Sequence, residues 1–228
     1  MRYWYDTEFD EDGETIILIS IGIICEDGRE LLCISTDFDP DRPNDWVKEN
    51  VLPHLPPRTD KRWMSKEQIK HKVLEFFAGD KEPELWADYG AYDWVVFSQL
   101  FGKMIDKPKK FPFNSMDTKQ WWKQLGEPQL PEQVGTEHSA LDDAKHSKAK
   151  WEALNKYATR VKESANHFCQ MYECFMPAVK RQKIAGKIRV AGKMLDETFN
   201  VDASLCLAHA ISEEGDNPKI SMSFGAKG

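Results

Sequence analysis

Two carboxylates stand two residues apart in the opening run Arg-Tyr-Trp-Tyr-Asp-Thr-Glu-Phe, at Asp6 and Glu8. On an extended chain, positions i and i+2 share one face. Two buried carboxylates side by side repel each other, and a divalent cation removes that penalty because hard cations take oxygen ligands. The plain alternative is a solvated acidic strand face. A second group is His138-Ser-Ala-Leu-Asp-Asp143-Ala. It sets an imidazole on a loop beside a carboxylate one turn inside a helix, which suits a general base next to a metal ligand. A solvent-facing His138, and an Asp143 favoured only by the helix dipole, are the alternatives. The third group is Trp86-Ala-Asp88-Tyr-Gly-Ala-Tyr-Asp93-Trp94. Asp88 and Asp93 compete for one role there; Asp93 also suits a helix N-cap and Asp88 a strand end.

These residues need elements to hold them. Residues 2–9 read as an aromatic-rich strand, Ile16 to Cys25 as a deeply buried second strand, and Glu30 to Thr36 as a third. Turn signals at Asp12-Gly13 and Asp27-Gly28 make this a three-strand antiparallel meander. Trp46 to Leu52 is a short helix. Ser65-Lys-Glu-Gln68 has capping-box form ahead of an apolar face of Ile69, Val73, Phe76 and Phe77. Glu84 to Asp88 is a strand, Asp93 to Phe101 a helix, 106–114 a Lys/Pro loop, and Asp117 to Leu125 a helix. A long helix spans 139–162, with Ser139 as N-cap and Asp142 as its capping partner. Small Ala140 and Ala144 let that helix approach a sheet closely. Strands first, then helices alternating with strands, define an α/β fold with a mixed sheet covered by helices.

Composition bounds the function. The chain has 228 residues and a formal net charge of −7, with 31 Lys+Arg against 38 Asp+Glu. That excludes a protein that coats nucleic acid by bulk positive charge. It leaves room for an enzyme that uses acidic residues to hold metals against a phosphate. No apolar run is long enough to span a membrane, no signal peptide is evident at the start, and five cysteines without framework spacing fit reduced thiols, so the expected compartment is the cytoplasm.

Taken in order, Asp-Thr-Glu on the first strand, Gly-Ala-Tyr-Asp before a helix, and His-x-Ala-x-x-Asp-Ala on a later helix resemble the DEDDh 3′–5′ exonucleases of the ribonuclease H-like superfamily. The opening strand, Leu-Ile-Ser-Ile-Gly and the Trp-Ala-x-x-Gly-Ala-Tyr-Asp block look most like the mycobacterial RNase AS group, over residues 1–160 or so. The resemblance implies a ribonuclease H-like sheet, with the antiparallel meander followed by parallel strands. It makes Asp6, Glu8, Asp93 and Asp143 the four acids that hold two Mg²⁺ or Mn²⁺ ions, and His138 the general base. Tyr92-Asp93 matches the second motif, so Asp93 is chosen over Asp88. The expected reaction is hydrolysis of single-stranded RNA from its 3′ end, with a preference for adenylate-rich ends, releasing nucleoside 5′-monophosphates. Phe9, Thr7 and Trp94 flank the motifs and are candidate substrate contacts, with Tyr89 a further aromatic; core packing is the alternative for the aromatic side chains. A DNA exonuclease of proofreading or repair type uses the same chemistry. A non-cleaving nucleic-acid-binding module is the third reading, and it calls for a broken acidic set.

The composition shifts near residue 164, and 164–228 reads as an appended region beside the 1–163 exonuclease domain. Lys180, Arg181, Lys183, Lys187, Arg189 and Lys193 form an acid-free basic run that suits an RNA tail or a solvated face. His167, Cys169, Cys174, Cys206 and His209 invite a zinc reading, although their spacing fits poorly. Homodimer formation is the other use considered for this segment.

Overall fold

The computed structural model describes the backbone of residues 1–175 and side chains through 166. The basic run at 180–193 and the proposed zinc ligands lie outside the described side chains. Contacts divide the chain into two units. One holds Met1–Lys123 with Pro128–Asn155; the other takes Gln124–Glu127 and Lys156 onward. Every site described below lies in the first.

Six strands form one mixed sheet. β1 (Arg2–Glu11), β2 (Ile16–Cys25) and β3 (Glu30–Ser35) make the expected antiparallel meander. β4 (Trp63–Met64) adds parallel to β3, and β5 (Glu84–Ala87) and β6 (Met116–Asp117) add parallel beyond β1. The order across the sheet is β4-β3-β2-β1-β5-β6, the ribonuclease H-like arrangement anticipated above. β4 and β6 have two residues each, too few for any period to register in the sequence.

The helices are α1 (Asp45–Asn50), α2 (Lys66–Phe76), α3 (Ala91–Gln99), α4 (Thr118–Gln124) and α5 (Ala140–Phe175). The capping box of α2 is complete: Ser65 Oγ accepts the Gln68 amide, and Gln68 Oε1 accepts the Ser65 amide at 2.9 Å. α3 begins two residues earlier than expected, so Asp93 sits in its first turn while Gly90 occupies the N-cap. α5 runs through residue 164, where the appended region was expected to begin, to Phe175.

Both faces of the sheet are covered, so β1 is buried on each side. Tyr3 and Tyr5 point into a core with Ile69, Val73 and Phe77 of the α2 region and Val96 and Phe97 of α3. Trp4, Trp86, Trp121 and Trp151 pack ring against ring elsewhere in the fold, linking β1, β5, α4 and α5. Burying one such large side chain stabilises by about 1.5–3 kcal/mol. A register shift after Glu8 pairs Glu8 with Ser20 and Phe9 with Leu18, leaving Ile19 as the extra residue. Such bulges re-aim side chains beside functional sites. Ile19 is fully buried in a small core with Phe38, Val47 and Val51, which seats α1 close to the end of β1.

Candidate active site

The site forms where β1 meets the starts of α3 and α5. β1 supplies Asp6 and Glu8, with Asp6 paired in register to Gly22 of β2. α5 approaches β2 closely at Gly22. A Cβ there would lie 2.3 Å from the Ala140 carbonyl and the Leu141 amide nitrogen. Ala140 and Ala144 are fully packed, as their size predicted. The glycine inside the apolar run of β2 was the sequence signal for this approach. Seated there, α5 carries Asp143 toward the acids of β1. Glu8, His138 and Asp143 each offer a ligand atom within 4.8 Å of the others.

Electrostatics identify the cluster as unusual. Burial is the largest cause that raises Asp6 well above the ordinary carboxylate range, and Asp93, Glu8 and Asp143 push it further. Glu8 is pushed up to about 8, first by burial and then by the charges of Asp143 and Asp93. Burial also raises Asp93 and Asp143. Four partly or wholly buried carboxyls, two of them opposed also by the charges of the others, make an oxygen-rich cluster, and bound divalent cations would relieve it. The donor set therefore fits hard cations.

Two of the four acids are held by a neighbour. Asp93 Oδ1 accepts the Thr7 amide at 2.8 Å and the Thr7 hydroxyl at 2.6 Å. Asp143 Oδ1 accepts from the Gln133 side-chain amide. Asp88 pairs with Lys150 of α5, so a cation already meets the acid that competed with Asp93. Asp142 does not take the capping role expected of it: its Oδ2 accepts the Thr136 amide at 3.1 Å and fastens the loop before α5. His138 has a φ of 61°, in the left-handed region. Its ring meets Trp46 of α1 edge-on, with centroids 4.8 Å apart. Trp46 and Gln133 carried no recognisable motif, because their roles arise from contacts distant in sequence.

The candidate substrate contacts separate. Thr7 is buried, and its hydroxyl and amide both donate to Asp93. Trp94 stacks on Phe97, its Nε1 donates to the Phe113 carbonyl, and Lys107 Nζ lies 3.8 Å from its ring centroid, so the ring is occupied. Phe9 is half-buried and stacks on Tyr92 at 5.8 Å, and Tyr92 is 60% exposed. Tyr89 is exposed, with a φ of 57°.

The family model described as the 3′-5′ exoribonuclease Rv2179c-like domain matches residues 1–155. Two relatives in Mycobacterium tuberculosis are 47% identical over 147 residues, which is 64% of this chain and 88% of theirs. They are named 3′-5′ exoribonuclease MT2234.1, in strain CDC 1551 / Oshkosh, and 3′-5′ exoribonuclease Rv2179c, in strain ATCC 25618 / H37Rv. The matched span contains β1, the β5–α3 turn and the start of α5, and the chain belongs to the Rv2179c-like 3′-5′ exoribonuclease family.

Proposed function

We propose that this protein hydrolyses single-stranded RNA from the 3′ end, releasing nucleoside 5′-monophosphates, with two Mg²⁺ or Mn²⁺ ions and His138 as general base. The observation that carries this reading is the convergence of Glu8, Asp143 and His138 beside Asp6 and Asp93 in a chain of an exoribonuclease family.

Asp6, Glu8, Asp93 and Asp143 would hold the ions. When bound, the ions neutralise charge on the oxygens that attack and leave during phosphodiester cleavage. Asp6, whose charge is opposed by Asp93, Glu8 and Asp143, would be a ligand alongside them. Thr7 fixes Asp93 through two hydrogen bonds, and Gln133 orients Asp143. Lys150 keeps Asp88 paired and out of the donor set. An imidazole nitrogen of His138 takes the proton of the attacking water, from a position within 4.8 Å of ligand atoms of Glu8 and Asp143. Trp46 supports the ring in that position. The reading extends to a preference for adenylate-rich 3′ ends and to a cytoplasmic enzyme. Among the described residues, no helix is long and apolar enough to cross a membrane.

Parallel digestion of end-labelled RNA and DNA oligomers of one sequence tests the substrate. RNA shortened from its 3′ end at least tenfold faster than DNA is the expected result. Faster digestion of DNA would assign the chain to proofreading or repair chemistry.

A further inference from the structure

We propose that Tyr89, Lys119 and Trp122 form a track for the nucleotides of single-stranded RNA that lie upstream of the scissile bond. The proposal rests on the exoribonuclease reading and extends it to a surface outside the acidic cluster.

Sheet register locates the surface. Trp4 pairs with Trp86 on β5, and Trp86 with Met116 on β6. The pairing ends at Ala87 with Asp117, so the chain leaves β5 at Asp88 and β6 at Thr118, both at the carboxyl edge toward which the parallel β1 runs on to Asp6 and Glu8. Tyr89 and Lys119 come one residue later, on the same edge as the acids. From β1 to β6 is two strand spacings, about 10 Å. The β5–α3 turn is tied to β6 through Asp117 Oδ2, which accepts the Gly90 amide at 2.9 Å.

The chemistry of the surface is that of a strand-tracking groove. Tyr89 is 68% exposed although large and aromatic, and its backbone adopts a left-handed φ of 57° that a tyrosine rarely takes. Packing does not explain a ring so exposed. Lys119 Nζ lies 3.8 Å from the Trp122 ring centroid and 5.5 Å from that of Tyr89; Trp122, anchored by its Nε1 donating to the Pro128 carbonyl at 2.8 Å, holds the cation beside the exposed Tyr89 ring, which is the stacking face of the track. α4, Thr-Lys-Gln-Trp-Trp-Lys-Gln, carries Lys119 and Lys123 and no acid, unlike the acidic cluster beside it. Aromatic rings interleaved with cations bind single strands without reading their sequence, because every base has a stacking face and every linkage a phosphate. A chain end held among carboxylates needs such a grip nearby, since the acids themselves repel the phosphates that follow.

The test measures KM and kcat on single-stranded RNA oligomers of two to ten nucleotides, with wild type, Tyr89→Ala, Tyr89→Phe and Lys119→Gln, in Mg²⁺ at several KCl concentrations. Melting temperature and oligomeric state are recorded for each variant. The expected result is a roughly tenfold rise in KM for Tyr89→Ala on oligomers longer than the dinucleotide, with kcat unchanged. Dinucleotide hydrolysis is unchanged and Tyr89→Phe behaves as wild type. Lys119→Gln lowers the slope of log KM against log salt by about 0.7, the loss of one single-strand phosphate contact. Equal effects on dinucleotide and decamer, or wild-type KM values on the decamer, overturn the track. A change in oligomeric state in Tyr89→Ala with unaltered KM overturns it too and makes the surface a contact between copies. Failure of the wild type to degrade any of these RNAs would instead refute the exoribonuclease reading itself.

Discussion

Glu8 carries the conflict on which the site is built. Its carboxyl is pushed up to about 8 by burial and by Asp143 and Asp93, against an ordinary value near 4.3. An acid whose folded pKa lies above its unfolded value holds its proton more tightly in the native state. Its effect on stability is therefore increasingly unfavourable as pH rises from about 4.3 toward about 8. Thermal denaturation in EDTA should show a lower melting temperature at pH 8 than at pH 5, and Mg²⁺ or Mn²⁺ should recover most of the difference. Glu8→Gln should stabilise the EDTA-treated protein at pH 8 by about 0.5–2 kcal/mol. The same substitution should lower RNA hydrolysis by about 10²–10³-fold. A neighbouring pair tests the assignment within the helix. Asp143 joins Glu8 and His138, whereas Asp142 fastens Thr136. Asp143→Ala should reduce kcat by at least about tenfold more than Asp142→Ala, and equal losses would undo the distinction. At this scale the sequence was informative wherever types and spacing carried the signal, as in Asp6, Glu8, His138 and Asp143. It was silent on Trp46, Gln133 and Lys150, whose partners are remote in the chain. Thr7 and Trp94 were legible only as neighbours of motifs; burial and the hydrogen bonds to Asp93 and Phe113 became apparent with the fold.

The elements bring the groups together through two local irregularities. Gly22 lets the first turn of α5 rest on β2 opposite Asp6, and the bulge at Ile19 seats α1 so that Trp46 reaches His138. A methyl group at position 22 would sit 2.3 Å from backbone atoms that have no rotamer to change. Gly22→Ala should therefore destabilise the protein by about 1–3 kcal/mol through overpacking. Where it folds, it should lower kcat by about 10²-fold through displacement of Asp143 and His138, with the sheet retained by circular dichroism. The long elements were readable because period and capping agree: β2 fills its expected span, and the α2 capping box closes as written. β4 and β6 were not, since two-residue strands exist only by pairing with β3 and β5. The start of α3 was misjudged because Asp93 looks like a cap, while the fold uses it inside the first turn.

For the molecule as a whole, a net charge of −7 and a nucleic-acid substrate are compatible. RNA binding as proposed does not call on long-range attraction by net charge. In the mechanism we propose, a few carboxylates would hold cations against one chain end, and the surface of Tyr89 and Lys119 would take the strand that follows. The central claim is that the acids act through bound divalent ions, and one measurement addresses it directly. A 5′-labelled single-stranded RNA is incubated with the protein in Mg²⁺, in excess EDTA, and in EDTA followed by excess Mn²⁺. The account predicts a ladder shortening one nucleotide at a time from the 3′ end in Mg²⁺, no cleavage in EDTA, and recovery with Mn²⁺. Undiminished degradation in excess EDTA would contradict it.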